Sequence, residues 1–377
     1  MPLSRRSIIL GAGGGIGLAL VGAGAAWRVM RTPTTAIAPW RIDPRPGADP
    51  RLAALRYAIL APNPHNRQPW LIHLIDSDRV ALTCDLAKRL PETDPFDRQV
   101  TIGFGTFMEL ARIAAAERGY ALDVTPFPEG DPQPRLDARP IALLRFHRDA
   151  SVRRDPLFAA IVRRHTNRNI YDPTPPTARQ LALVGQDEAK TSADPDFLAG
   201  LRRLTVGAMT TETLNHRVFM ESVDVMRIGA AEMDATPDGL PVGGPLIEAM
   251  HAIGLLDQAS LADPSSMGFK AGLKMVQDQC GSVPAIVWIA TPGNSRAEQL
   301  EVGRRYVRAT LRAAALGLEI CPMSQALQEY PEMADDFARI HALFGLSGAQ
   351  RLQMLARIGT AAPVLPAPRW PLDHHLV

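Results

Sequence analysis

Residues 61 to 70, Ala-Pro-Asn-Pro-His-Asn-Arg-Gln-Pro-Trp, gather amide and imidazole side chains into a proline-stiffened stretch. Pro62, Pro64 and Pro69 each fix a backbone φ, so Asn63, His65, Asn66 and Gln68 lose little ordering entropy on meeting a partner. An amide donates and accepts at once, which matches the alternating carbonyl and N–H edge of a flavin ring. The same residues also suit a helix stop in which Asn supplies turn geometry. A second cluster, Arg163-Arg164-His165-Thr166-Asn167-Arg168, sets guanidinium forks beside a hydroxyl. That combination suits a phosphate dianion. The alternative is a solvated basic end to the helix begun by residues 157–162, where cations complement the dipole.

Leu52, Leu55, Ile59 and Leu60 recur at helical spacing before the first stretch, and residues 70–75 read as a strand. The loop between them is thereby anchored at both ends. Further along, residues 105–119 can be laid on residues 303–317 without a gap, with Gly105 on Gly303 and Gly119 on Gly317. Each of these helices is followed by a strand pattern, at residues 139–146 and 351–358. Two weakly similar units in one chain suggest duplication and fusion. The competing explanation is that any two Ala-rich helices coincide at small positions.

The run Ala61-Pro62-x-x-x-Asn66-x-Gln68-Pro69-Trp70 resembles the Ala-Pro-Ser-x-x-Asn-x-Gln-Pro-Trp element of the nitroreductase superfamily of FMN enzymes, with Asn63 where that family often has Ser. Residues 163–168 resemble the Arg-[Arg/His]-Ser-x-[Arg/Lys] element that grips the FMN phosphate there, although the order of the two motifs is reversed. Two fused halves make the reversal intelligible. The resemblance implies an α+β, nitroreductase-like fold in which the halves form a pseudo-dimer, each a mixed sheet packed with long helices. It further implies one FMN per chain in a monomer that imitates a dimer. Pro62, Asn63, His65, Asn66 and Gln68 would come from one half, and Arg164, His165, Thr166 and Arg168 from the other.

Residues 317–324 resemble the segment whose backbone N–H groups approach flavin N5, which nominates Met323 and Ser324; a plain proline turn is the alternative. The C-terminal run through Arg369-Trp370-Pro371-Leu372 resembles the closing pattern of the Acg-like branch, adding Arg369 to the cofactor set, with Trp370 replacing a second Arg. That branch carries a lid, placed here at about 237–281, where Met267 and Phe269 would line the ring. A helical hairpin filling the vestigial second site is the competing view. The function implied is an FMN-dependent oxidoreductase that passes hydride through N5 from a small-molecule donor to a small-molecule acceptor, with no catalytic side chain. The alternative is an exported protein that sequesters flavin without turnover.

Ser4-Arg5-Arg6 followed by an apolar, Gly- and Ala-rich run to Ala26 has the arrangement of a twin-arginine export signal. Its length, about 20 residues, also suits a retained anchor. The expected organisation is a signal or anchor at 1–38, a first half at 39–150 and a second at 151–377, with a Pro-rich linker over 31–50. The expected location is the periplasm or the outer face of the cytoplasmic membrane, with membrane contact only through the N-terminal segment. A net charge of +2 over 377 residues, without a basic stripe interleaved with aromatics, argues against nucleic acid as a partner. Cys84, Cys280 and Cys321 are too dispersed for a metal site, though one disulfide is conceivable. His374 and His375 read as a frayed tail.

Overall fold

The computed structural model describes residues 32–43 and 49–377; the twin-arginine motif and its apolar run lie outside the described residues. The first half runs α1 (Pro50–Ala58), β1 (Trp70–Leu74), β2 (Arg79–Cys84), α2 (Arg98–Glu117), β3 (Tyr120–Pro126) and β4 (Ala142–Arg148). The second begins with α3 (Ala178–Gly185) and β5 (Lys190–Ser192). An insertion follows, comprising α4 (Pro195–Leu214), α5 (His216–Asp224), β6 (Met226–Ile228), α6 (Gly229–Ala235), β7 (Leu240–Val242), α7 (Pro245–Ala252), α8 (Gln258–Ala262) and α9 (Met267–Gly281). The half closes with β8 (Ala285–Thr291), α10 (Arg296–Ala315), β9 (Glu319–Pro322), α11 (Ala334–Leu343) and β10 (Arg351–Gly359).

The two main sheets share one topology. The first is ordered β1-β2-β4-β3 and the second β5-β8-β10-β9, with every neighbouring pair antiparallel. Parallel pairing enters only at their edges, through single bridges from Leu376 to Ile72 and from Thr166 to Ile320. In both halves the long helix links the second and third strands, so the α+β architecture is a repeated unit. What distinguishes the halves is the first connection, a short hairpin between β1 and β2 but the whole helical insertion between β5 and β8.

The gapless alignment of the two long helices extends to their ends. Placing Gly105 on Gly303 also places Arg98 on Arg296 and Glu117 on Ala315, the first and last residues of α2 and α10. The aligned glycines meet where the helices cross. A Cβ on Gly105 would sit 2.1 Å from the Leu300 carbonyl oxygen, and one on Gly303 would sit 2.1 Å from that of Ile102. Backbone therefore touches backbone, and each helix enters the other half's core: Leu300, Val307 and Leu311 join the first cluster and Ile102 the second.

The initial arginines make the exchange reciprocal. Arg98 donates to the carbonyls of Leu327 (2.7 Å) and Gln353 (2.9 Å) in the second half. Arg296 donates to those of Pro132 (3.2 Å) and Pro134 (3.1 Å) in the first. Both side chains are buried. A guanidinium fork aimed at successive carbonyls satisfies loop backbone that would otherwise be desolvated without partners.

Three expectations change. The tail is not frayed: Ile72 N–H donates to the His375 carbonyl (2.8 Å), Val377 N–H donates to that of Ile72 (3.1 Å), and His375 packs against Trp70. Residues 36–40 are not a free linker, because Ala36, Ile37 and Trp40 are buried against the body. The three cysteines are buried and unpaired.

Replacing Gly105 or Gly303 by Ala should destabilise the fold by roughly 1–3 kcal/mol or more, since overpacking outweighs the helix-propensity gain of about 1 kcal/mol. Gly207 in α4 and Gly272 in α9 have open space around the same position. Alanine there should be neutral or stabilising by up to about 1 kcal/mol. Denaturant midpoints of the four variants check this contrast.

Candidate functional site

The loop after α1 is held in a backbone shape that ordinary residues rarely adopt. His65, Asn66 and Gln68 have φ of 47°, 54° and 51°, and such left-handed conformations cost on the order of 1 kcal/mol or more each unless their surroundings impose them. The surroundings here do. Gln68 N–H donates to Asn63 Oδ1 (2.7 Å), and the Thr106 hydroxyl of α2 donates to the Pro62 carbonyl (2.7 Å). His65 Nε2 lies 2.9 Å from Ser222 Oγ.

The two key amides are committed within the protein. Asn66 Nδ2 donates to the Pro368 carbonyl (3.0 Å), while its oxygen accepts from Arg369 Nη1. Gln68 Nε2 donates to the Pro237 carbonyl (2.7 Å), and its oxygen accepts from Trp370 N–H (3.0 Å). Gly239 N–H adds a bond to the Asn66 carbonyl (3.1 Å). Asn66 and Gln68 thus fasten two distant segments, the C-terminal run at 368–370 and the turn at 237–239, rather than facing an open cleft. Asp238 secures the same turn through Arg227 (2.8 Å) and Arg67 (3.5 Å).

The arginine cluster meets this loop. Arg164 Nη2 donates to the Leu60 carbonyl (3.2 Å), and Arg369 Nη2 donates to those of Leu60 (3.2 Å) and Ala61 (3.1 Å). Both residues are 2% exposed. Neither forms an ion pair with a carboxylate among the described residues. Nε and Nη1 of Arg164, Nε of Arg369 and Nδ1 of His165 are buried without any partner. Burial pushes Arg164 down to about 10, and burial followed by repulsion from Arg164 holds Arg369 well below the ordinary guanidinium range.

Trp40 covers the pair, 5.8 Å from Arg164 Cζ, 5.4 Å from Arg369 Cζ and 5.0 Å from the His165 ring. Its indole N–H is anchored to the Ala367 carbonyl (2.8 Å). Cation–π contact supplies about 2 kcal/mol or somewhat more when desolvated, against an effective penalty of several kcal/mol for each desolvated ion. The difference is what a bound anion would supply. A phosphate dianion fits the donor set, since the four orphaned nitrogens belong to three neighbouring side chains. A cavity of about 80 Å³ adjoins two of these side chains, Arg164 and His165, and is lined also by Arg163, Gly317, Glu319 and Ile320.

Other nominated residues are placed differently. Thr166 bridges to Ile320 beside this cavity, and Arg168 is exposed, although its charge reaches His65. The Met323 N–H donates to the Leu355 carbonyl (2.8 Å), so it extends the sheet rather than presenting a free donor. Ser324 precedes a 3-10 turn at Gln325–Leu327. Met267 is 88% exposed, and Phe269 is buried edge-on against Phe219 inside the insertion, so neither faces the arginine pair. Sequence reasoning missed Trp40. An aromatic residue closing the Ala36-Ile-Ala-Pro-Trp40 run was the available signal.

Burial, then the Arg164 and Arg369 charges, lowers His165 to about 4, so the imidazole is neutral in the fold at pH 7. The unfolded chain takes up a proton below the ordinary value of 6.5, so this histidine destabilises the fold as pH falls from 6.5 to 4. The stability of the parent protein relative to His165→Gln should therefore decline across that window and be constant above pH 7. Urea midpoints against pH measure it.

No family model matches the chain. Two Mycobacterium tuberculosis proteins, from strains CDC 1551 and H37Rv and each named "Putative NAD(P)H nitroreductase", are 26% identical to it over 338 residues, 86% of this chain and 90% of theirs. Among solved structures, the FMN-dependent nitroreductase NfnB from Mycobacterium smegmatis in complex with NADPH aligns at 15% identity and a TM-score of 0.35, over 58% of this chain and 97% of that one. A structure from Anabaena variabilis, described as "a putative nitroreductase", aligns at 9% identity and a TM-score of 0.42, over 87% of this chain and 91% of that one. Over most of its length, then, the sequence is similar to proteins that carry the nitroreductase name.

Proposed function

We propose that the chain is an FMN-binding oxidoreductase of the nitroreductase superfamily, in its Acg-like branch. The observation that carries the reading is the buried pair Arg164 and Arg369, neither of them in an ion pair among the described residues, with four orphaned nitrogens counting that of His165, at the seam between the halves. Mycobacterial relatives named for NAD(P)H-linked nitroreduction support the same class and a nicotinamide donor.

In this reading Arg164, Arg369 and His165 hold the phosphate, with Thr166 and the segment at 317–320 beside them. FMN, when bound, supplies hydride transfer through its N5 between a small-molecule donor and an unidentified acceptor. The protein binds and orients the cofactor. Asn66 and Gln68 keep the seam closed by tying the C-terminal run and the turn at 237–239 to the first half. No side chain is required as acid or base. One such arginine pair among the described residues supports one FMN in a monomer that imitates a dimer. The N-terminal twin-arginine motif supports export, with the protein periplasmic or anchored outside the cytoplasmic membrane.

A second reading, flavin sequestration without turnover, is favoured by the cover that Trp40 places on the arginine pair. Anaerobic mixing with NADPH and with a quinol separates the two: bleaching of the flavin absorbance by either supports the oxidoreductase, and inertness toward both supports sequestration.

Arg164→Met tests the shared premise. Removing an unpaired buried charge should leave the unfolding free energy of the cofactor-free protein unchanged or higher. FMN affinity should fall roughly ten- to a hundredfold, the worth of one or two charge-assisted hydrogen bonds. Fluorescence titration with FMN reads the second effect, and unchanged affinity would remove the site from this position.

A further inference from the structure

The insertion carries apolar surface that nothing in the described chain covers. Helix α7 has no buried residue, yet its sequence is Pro-Leu-Ile-Glu-Ala-Met-His-Ala. Leu246, Met250 and Ile253 stand at i, i+4 and i+7, which places them along one stripe. Leu246 and Ile253 are each 70% exposed, followed by Leu255 at 62%. Met267, at the start of α9, is a further exposed apolar residue of this insertion, at 88%. Soluble surfaces carry single exposed apolar residues routinely, but a helical stripe with an apolar extension marks an interaction face.

The position of the N-terminal segment indicates what the face meets. Ala36 N–H donates to Asp234 Oδ1 (2.7 Å) on α6, and Ala230 N–H, one turn earlier on the same helix, donates to Glu248 Oε1 (2.7 Å) on α7. One helical turn is about 5.4 Å. The chain therefore joins the body beside α7, and upstream in sequence residues 7–27 contain no charged residue. We propose that the stripe Leu246, Met250 and Ile253, with Leu255, seats in the headgroup boundary of a lipid bilayer, so that the insertion forms a second membrane contact next to the N-terminal one. Charges in this part of the insertion are of both signs, Lys270 and Lys274 against Glu248, Asp257 and Asp263. Apolar insertion rather than attraction to anionic lipid is the driving term.

The full chain labelled with an environment-sensitive fluorophore at Ile253→Cys tests this, because Cys84, Cys280 and Cys321 are buried and resist labelling. In phosphatidylcholine vesicles containing brominated lipid, the label should be quenched at least twofold, equally at low and high salt. A label at Asp131→Cys, on an exposed loop of the first half, should not be. Adding Leu246→Glu and Leu255→Glu should return the Ile253→Cys signal to that of the control, with circular dichroism unchanged. Quenching no greater than at position 131 overturns the proposal. So does a label signal that changes with protein concentration in the absence of lipid, which would assign the face to a second copy of the chain.

Discussion

The contact on which the rest of this structure depends is the crossing of α2 over α10 at Gly105 and Gly303. Two backbones at that distance exclude any side chain, so the crossing fixes separation and angle at once. Each sheet is attached to one of these helices, and the loop after β1's preceding helix is pinned to α2 through Thr106. The depth at which the 61–70 loop meets residues 163–168 is set by the same point. Arg98 and Arg296 then close the arrangement from both ends, each satisfying carbonyls in the opposite half.

Against this rigid frame the arginine pair is an electrostatic exception. Elsewhere, buried and half-buried arginines spend their donors: Arg98 reaches Glu329 and Arg308 reaches Glu109 and Asp155, while Arg296 and Arg357, which have no carboxylate partner among the described residues either, donate to carbonyls and leave no buried nitrogen unpartnered. Arg164 and Arg369 have carbonyls, an amide oxygen and an indole face, yet keep orphaned nitrogens. Buried donors without partners carry a desolvation cost, which a bound anion would offset. The left-handed residues of the adjoining loop belong to the same economy, because the bonds that enforce their shape also hold Arg369 in place.

Much of the frame was legible in the sequence. The helix before the loop, the strand after it, the gapless helix alignment and the duplicated strands all rest on local periodicity and small residues, which act within one element. What escaped was set by partners far apart in the chain. Asn66 and Gln68 read as free recognition amides because Pro368, Arg369, Trp370 and Pro237 lie about 170 to 300 residues away. His374 and His375 read as a loose end because nothing local shows that a terminal segment will pair with Ile72. Trp40 sat in a proline-rich stretch whose composition says linker, while its ring lies against Arg164, His165 and Arg369.

The swapped arginines also bear on how the polypeptide matures. During synthesis the first lobe emerges with the socket at Pro132 and Pro134 empty and Arg98 lacking its acceptors, which arrive only with Leu327 and Gln353. Neither lobe can finish by itself, so quality control acts on one cooperative object, complete only when the last strand has been added and the tail has docked beside Ile72.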